Sequence, residues 1–147
     1  MNTTVEPAHP SALRPAHALL MAAVLPLFVG TLLCDVAYAR TYEIQWANFA
    51  SWLLAGGLFI GGFALLWAVV ELVRAQRREG RRVIYFILVL ATWILGFIDA
   101  LVHARDAWAS MPTGVVLSLI VTVLAGVATV VAVSGLCHAC HLRERTP

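Results

Sequence analysis

In this 147-residue chain 61% of side chains are hydrophobic and 12% are charged, which excludes a water-soluble bundle, whose helices each need a polar stripe for solvent. No formal charge occurs over 15–34, 44–70, 83–98 or 107–142, and about 20 mostly apolar residues cross the hydrocarbon core of a bilayer as a helix. The net charge of +2 is carried by ten arginines without a single lysine, a distribution that reports membrane orientation before any nucleic-acid partner.

Residues 1–16 hold Pro7, Pro10 and Pro15 among small polar residues and read as an irregular N-terminal tail. The first span is expected over 17–39, with Pro26 freeing one backbone carbonyl and kinking the helix. Arg14, an apolar run and Ala37-Tyr38-Ala39 imitate a secretory signal with its cleavage site. The run exceeds the usual ~7–15 residues, and Asp35 stands beside the cut, so the segment is read as a retained span. Cys34 follows Leu33 and lacks the small preceding residue of a lipidated cysteine. Further spans are expected over 47–73, 82–104 and 112–136, the last with Pro112 in its first turn, and 137–147 form a C-terminal tail. Links at 40–46, 74–81 and 105–111 are short, so consecutive helices are antiparallel neighbours. The expected fold is all-α, one integral membrane up-down four-helix bundle.

Orientation follows from arginine. The link containing Arg74, Arg77, Arg78, Arg81 and Arg82 stays in the cytoplasm by the positive-inside rule. Alternation then places both termini there, with Arg14, Arg143 and Arg145, and leaves only Arg40 and Arg105 outside. Tyr38, Trp46, Trp52 and Trp108 fall near the outer boundary, where interfacial aromatics belong.

Cys137-His138-Ala139-Cys140-His141 is C-x-x-C-H, the pattern of covalent haem attachment. Its expected cytoplasmic location and the six residues after His141 speak against a cytochrome c. Were the fourth helix to continue through the tail, Cys137, Cys140 and His141 would share a face, where thiolate and imidazole suit a transition metal. His17 starts the first span on the same side. The competing assignment is that the cysteines fill space and the histidines favour a helix C-terminus; no cofactor is expected, with haem or a transition metal as the alternative.

At the outer side Asp99 and His103 are four residues apart on one face. Asp35, Arg105 and Asp106 lie at similar depth. Ionisable groups inside a span face the bundle interior and find partners. The five residues therefore read as an Asp–Arg and Asp–His clasp between helix ends, or as a proton or cation site with an imidazole that titrates near neutral pH. Glu71, one turn before Arg74, is expected to pair with it. Gly57 and Gly61 form G-x-x-x-G, which brings two helix backbones close, within one chain or between two copies.

The segments "LLCDVAYA", "ANFASWLLAGGL" and "FIDALVHARDAWASMPTGVVLS" resemble those of a bacterial membrane family known as domain of unknown function 2231, over residues 10–135. The resemblance implies a small inner-membrane domain without an established reaction, with Asp35, His103, Arg105 and Asp106 in the family pattern. Relatives that occur beside cytochrome c or sugar-dehydrogenase-like modules imply a link to respiratory electron transfer.

The expected function is a multi-pass protein of the bacterial inner membrane without catalytic machinery, an accessory or scaffold subunit of a membrane complex. Its expected partners are lipid, further copies of itself or other membrane subunits, with no nucleic acid. The alternatives are a metal- or haem-binding redox subunit using His17, Cys137, His138, Cys140 and His141, and an ion or proton pathway through Asp35, Asp99 and His103.

Overall fold

The computed structural model describes residues 13–74, 80–105 and 110–144, except for the side chains of 13–16, 81 and 135–144. Four long helices account for nearly all of it: α1 (Leu13–Thr41), α2 (Ile44–Arg74), α3 (Gly80–His103) and α4 (Thr113–Glu144). Helices α1 and α3 each pack against both α2 and α4. The four therefore form a ring in chain order, with α1 and α3 parallel to one another across its diagonal, as the up-down expectation required. The face where α1 begins and α4 ends is called the terminal face below, and its opposite the far face.

Each helix contains a stretch long and apolar enough to span a bilayer: His17–Thr41, Ile44–Arg74, Arg82–His103 and Thr113–Ser134. Only 22–28% of the most apolar part of each is buried within the protein. Large side chains such as Leu19, Trp52, Phe59, Phe63 and Val130 point outward, an exterior that water would not tolerate and lipid covers. Helix is the required conformation there, because hydrocarbon offers backbone groups no partner outside their own segment.

The helix ends differ from expectation in three places. The first link contracts to Tyr42-Glu43 because Tyr42 takes a left-handed conformation, φ 56°, and its N–H caps the helix on the Tyr38 carbonyl at 2.8 Å. Pro112 precedes α4 instead of lying in its first turn, and its carbonyl accepts from Val116 N–H at 3.3 Å. Helix α4 also continues eight residues past the expected end of its span at 136, into the expected tail as far as Glu144. Pro26 lies within a continuous α1.

Buried positions follow one another by steps of four and three. They are 17, 21, 24, 28, 31, 35 and 38 in α1, with 18 beside the first; 50, 54, 57, 61, 64 and 68 in α2; 85, 89, 92, 96, 99 and 102 in α3; and 114, 118, 121, 125 and 128 in α4. This is the seam of a left-handed, knobs-into-holes bundle. Its middle is organised by large rings set against glycines. Phe28 is wedged between Gly57 and Gly96, and Trp93 lies over Gly61 and Gly62. The Trp93 indole N–H donates to the Leu58 carbonyl at 3.1 Å. A hydroxyl links α4 to α1: Thr122 donates to the Phe28 carbonyl at 3.1 Å, while Thr129 donates to the Ala125 carbonyl of its own helix at 2.7 Å and stands 3.4 Å from the Met21 carbonyl. A cavity of about 10 Å³ lies beside Phe28, Val89 and Thr92. Its one hydroxyl, Thr92, already donates to Leu88 O, so it lacks the two to four polar partners a buried water needs.

Gly57 and Gly61 are both buried within the chain, so the G-x-x-x-G pair serves intramolecular packing. Tyr38, three residues before the end of α1, packs inside the bundle at 2% exposure, whereas Trp52 is 73% exposed.

Candidate functional site

The far face holds the polar cluster. His103 is the last residue of α3, and its imidazole reaches across the diagonal to Asp35 of α1, with Nε2 2.8 Å from Asp35 Oδ1. Its other nitrogen lies 3.0 Å from the Asp99 backbone carbonyl. A carbonyl only accepts, so Nδ1 carries hydrogen and the ring is held by one fixed donor and one atom that shares a proton with a carboxylate. Asp99 Oδ1 stands 3.3 Å from the same Nδ1, but the N–H is directed to the carbonyl, and neither Asp99 oxygen receives a hydrogen bond. Asp35 Oδ2 is likewise unpartnered. Both aspartates are fully buried at 0% exposure. Gly114 of α4 closes the cluster: a Cβ there would lie 3.3 Å from His103 Cε1, so only hydrogen leaves the ring its space.

A second polar contact joins the same two helices at the terminal face. His17 of α1 is hydrogen-bonded through Nε2 to the Tyr85 hydroxyl of α3, with ring centroids 4.9 Å apart in an edge-to-face arrangement. Glu71 of α2 acts electrostatically on both. The 18-residue spacing from His17 to Asp35 equals that from Tyr85 to His103, so parallel α1 and α3 meet twice in one register, about 27 Å apart along the helix.

Asp35, Asp99 and His103 are thus brought together as the sequence indicated. Arg105 is not part of the group: it is exposed and pairs with no described residue, so of the expected Asp–Arg and Asp–His clasp the described residues form the Asp–His part. Two residues beyond the end of α3, it has left the bundle seam. Asp106 and Trp108 lie outside the described residues. Glu71 and Arg74 form no ion pair among the described residues.

His17 is committed through one nitrogen to Tyr85. Cys137, His138, Cys140 and His141 lie on the continuous backbone of α4, but their side chains are outside the described residues. The Met21–Thr129 contact sets the α1–α4 register, and following it sets Cys137 level with Leu13, one turn beyond His17. Among the described residues no three His, Cys, Asp or Glu side chains converge to hold a metal ion. Sequence reasoning missed Tyr85 and Gly114. The equal spacing of His17–Asp35 and Tyr85–His103 was the available signal for the first, and none existed for the second.

A family described as "Predicted membrane protein (DUF2231)" matches residues 13–136. The chain belongs to the DUF2231 family. No curated protein and no solved structure matches it. The match covers all four spans and both diagonal contacts, so the clasp lies wholly within the DUF2231 domain. Residues 1–12 and the tail with Cys137, His138, Cys140 and His141 lie outside it.

Proposed function

We propose that this DUF2231 protein is a noncatalytic scaffold subunit of a complex in the bacterial inner membrane, with both termini in the cytoplasm. The observation that carries the proposal is the His103 imidazole locked between α1 and α3 by fully buried Asp35 and by its own Asp99. A reactive cluster must meet its substrate, whereas these groups are closed off from solvent. They fix the diagonal of the bundle, as the His17–Tyr85 contact does at the other face. Between the two clusters lie layers centred on Val24, Phe28, Leu54, Val121 and Ala125, where the polar groups are single hydroxyls bonded to backbone carbonyls and no carboxylate or imidazole is described; this favours a clasp over a pathway. The bundle so fixed presents an apolar exterior to lipid and to other membrane subunits. The arginines of 74–82 support the orientation.

The test is extraction from native membranes in mild detergent, followed by native electrophoresis and photo-crosslinking from lipid-facing Phe59 or Phe63. The expected result is a discrete band larger than the chain, containing a second integral membrane protein. A chain that migrates alone, yields no crosslink and turns over a defined substrate when purified overturns the proposal.

A further inference from the structure

We propose that the Asp35–His103–Asp99 cluster is a proton-binding site, in which Asp99 holds the proton as a neutral carboxylic acid. The inference rests on counting charges and donors. His103 Nδ1 has its hydrogen committed to the Asp99 carbonyl, and Nε2 and Asp35 Oδ1 share one further proton at 2.8 Å. Wherever that shared proton sits, the Asp35–His103 pair is neutral overall: imidazolium with carboxylate, or imidazole with acid. Its single cationic charge is fully used by Asp35.

Asp99 is then left over. It is 0% exposed, with both carboxylate oxygens unpartnered. An ionised carboxylate in that position would be a buried, uncompensated charge without hydrogen bonds, the costliest arrangement a protein interior offers.

Charges that might compensate Asp99 are absent from the neighbouring elements, among the described residues. On α1 the titratable neighbours of this region are Cys34, Asp35 and Tyr38, none of them a cation, and Arg40 is exposed. On α3 there is His103, already spent, with exposed Arg105 beyond it. Helix α2 brings Glu71 and Arg74 only, at the terminal face, and the described part of α4 carries no ionisable side chain. One proton on Asp99 brings the cluster to neutrality. The proton needs no cavity, reaches the site from the far face, and leaves the clasp of Asp35 on His103 intact.

Infrared spectroscopy of the purified full-length protein at neutral pH tests this through the carbonyl stretch of a protonated carboxyl group, recorded in light and heavy water and with or without sodium. The expected result is a deuterium-sensitive carboxylic acid band that sodium leaves unchanged and Asp99→Asn removes. Because an asparagine replaces a neutral acid of the same shape, Asp99→Asn is expected to keep the wild-type unfolding midpoint. His103→Gln, which removes the imidazole of this cluster, is expected to add a second such band as Asp35 takes up a proton too. No acid band in the wild type, or a band that survives Asp99→Asn, overturns the proposal. So does a band abolished by sodium, which would make the site a cation site, or an Asp99→Asn protein that is destabilised or unfolded.

Discussion

Replacing Gly57 by alanine sets a helix gain against a packing loss, and the structure decides the sign. A Cβ at Gly57 would stand 2.8 Å from Phe28 Cε1 and 3.1 Å from Cδ1, well inside ordinary van der Waals contact. The obstructing atoms belong to a ring that is 2% exposed, on a residue whose carbonyl is held by the Thr122 hydroxyl. The ring has to retreat toward Gly96 or move α1. Overpacking of this kind costs about 1–3 kcal/mol, against a gain of about 1 kcal/mol for alanine over glycine in a helix. The net is a loss of up to about 2 kcal/mol, from the same two principles. At Gly61 the added Cβ would lie 3.7 Å from Trp93 Cδ1 and 4.0 Å from Val24 Cγ2. That is ordinary contact, so Gly61→Ala is expected to be neutral or more stable by up to about 1 kcal/mol.

Unfolding in mixed micelles with rising SDS, followed by far-ultraviolet circular dichroism, measures both variants. Phe28→Leu supplies the internal check: combined with Gly57→Ala it should restore part of the loss, because the two sites share one space and their effects do not add. Equal midpoints for the two alanine variants would refute the packing assignment, as would simple additivity with Phe28→Leu. Equal losses that also depended on protein concentration would assign the glycine pair to a contact between two copies.

Other substitutions probe the two diagonal contacts. His103→Ala removes the partner of a fully buried carboxylate and is expected to cost about 3–5 kcal/mol in the same assay. Tyr85→Phe leaves His17 Nε2 buried without a partner, an expected loss of about 1–3 kcal/mol. Thr122→Val deletes only the hydroxyl that α4 gives to the Phe28 carbonyl, and within a membrane its expected cost is about 0.6 kcal/mol. Orientation is checked with reporters: one fused after Pro147 should be active in the cytoplasm, and one inserted between Tyr42 and Glu43 should be active on the opposite side. The reverse pattern would return the C-x-x-C-H sequence to the side where haem is attached.

Helix number and antiparallel order were legible because the bilayer imposes them: long uncharged stretches have one stable conformation there, and short links allow one arrangement. The seam was not legible in α1, α2 and α4, because leucine, valine and alanine serve equally against lipid and against another helix, and periodicity of hydrophobicity is weak there. What marks the seam in α3 is polar or small, namely Thr92, Gly96 and Asp99. The far cluster was half legible. The four-residue step from Asp99 to His103 predicted a shared face, and depth predicted Asp35 nearby. The choice between Asp35 and Arg105 as a partner depends on where α3 stops, and helix ends are the part of an element that sequence locates least well. Cys137, His138, Cys140 and His141 stay as the sequence left them.

The two diagonal contacts acquire their meaning from where they sit along the bundle. They lie about 27 Å apart, close to the ~30 Å of hydrocarbon, so each falls near a membrane boundary, where burying an ionisable group costs least. Between them the bundle is held by close packing, with rings against glycine backbones and the Thr122 hydroxyl on a carbonyl of α1, the interactions that associate helices where water supplies no hydrophobic drive. Diagonal helices in a four-helix ring share little surface, and a long polar side chain is what reaches across. His103 to Asp35 and His17 to Tyr85 are therefore the contacts that stop the ring from flattening into two loosely joined hairpins. On that account, loss of His103 should loosen α1 against α3 at both faces at once, because the shared 18-residue register lets a slip at one contact misalign the other.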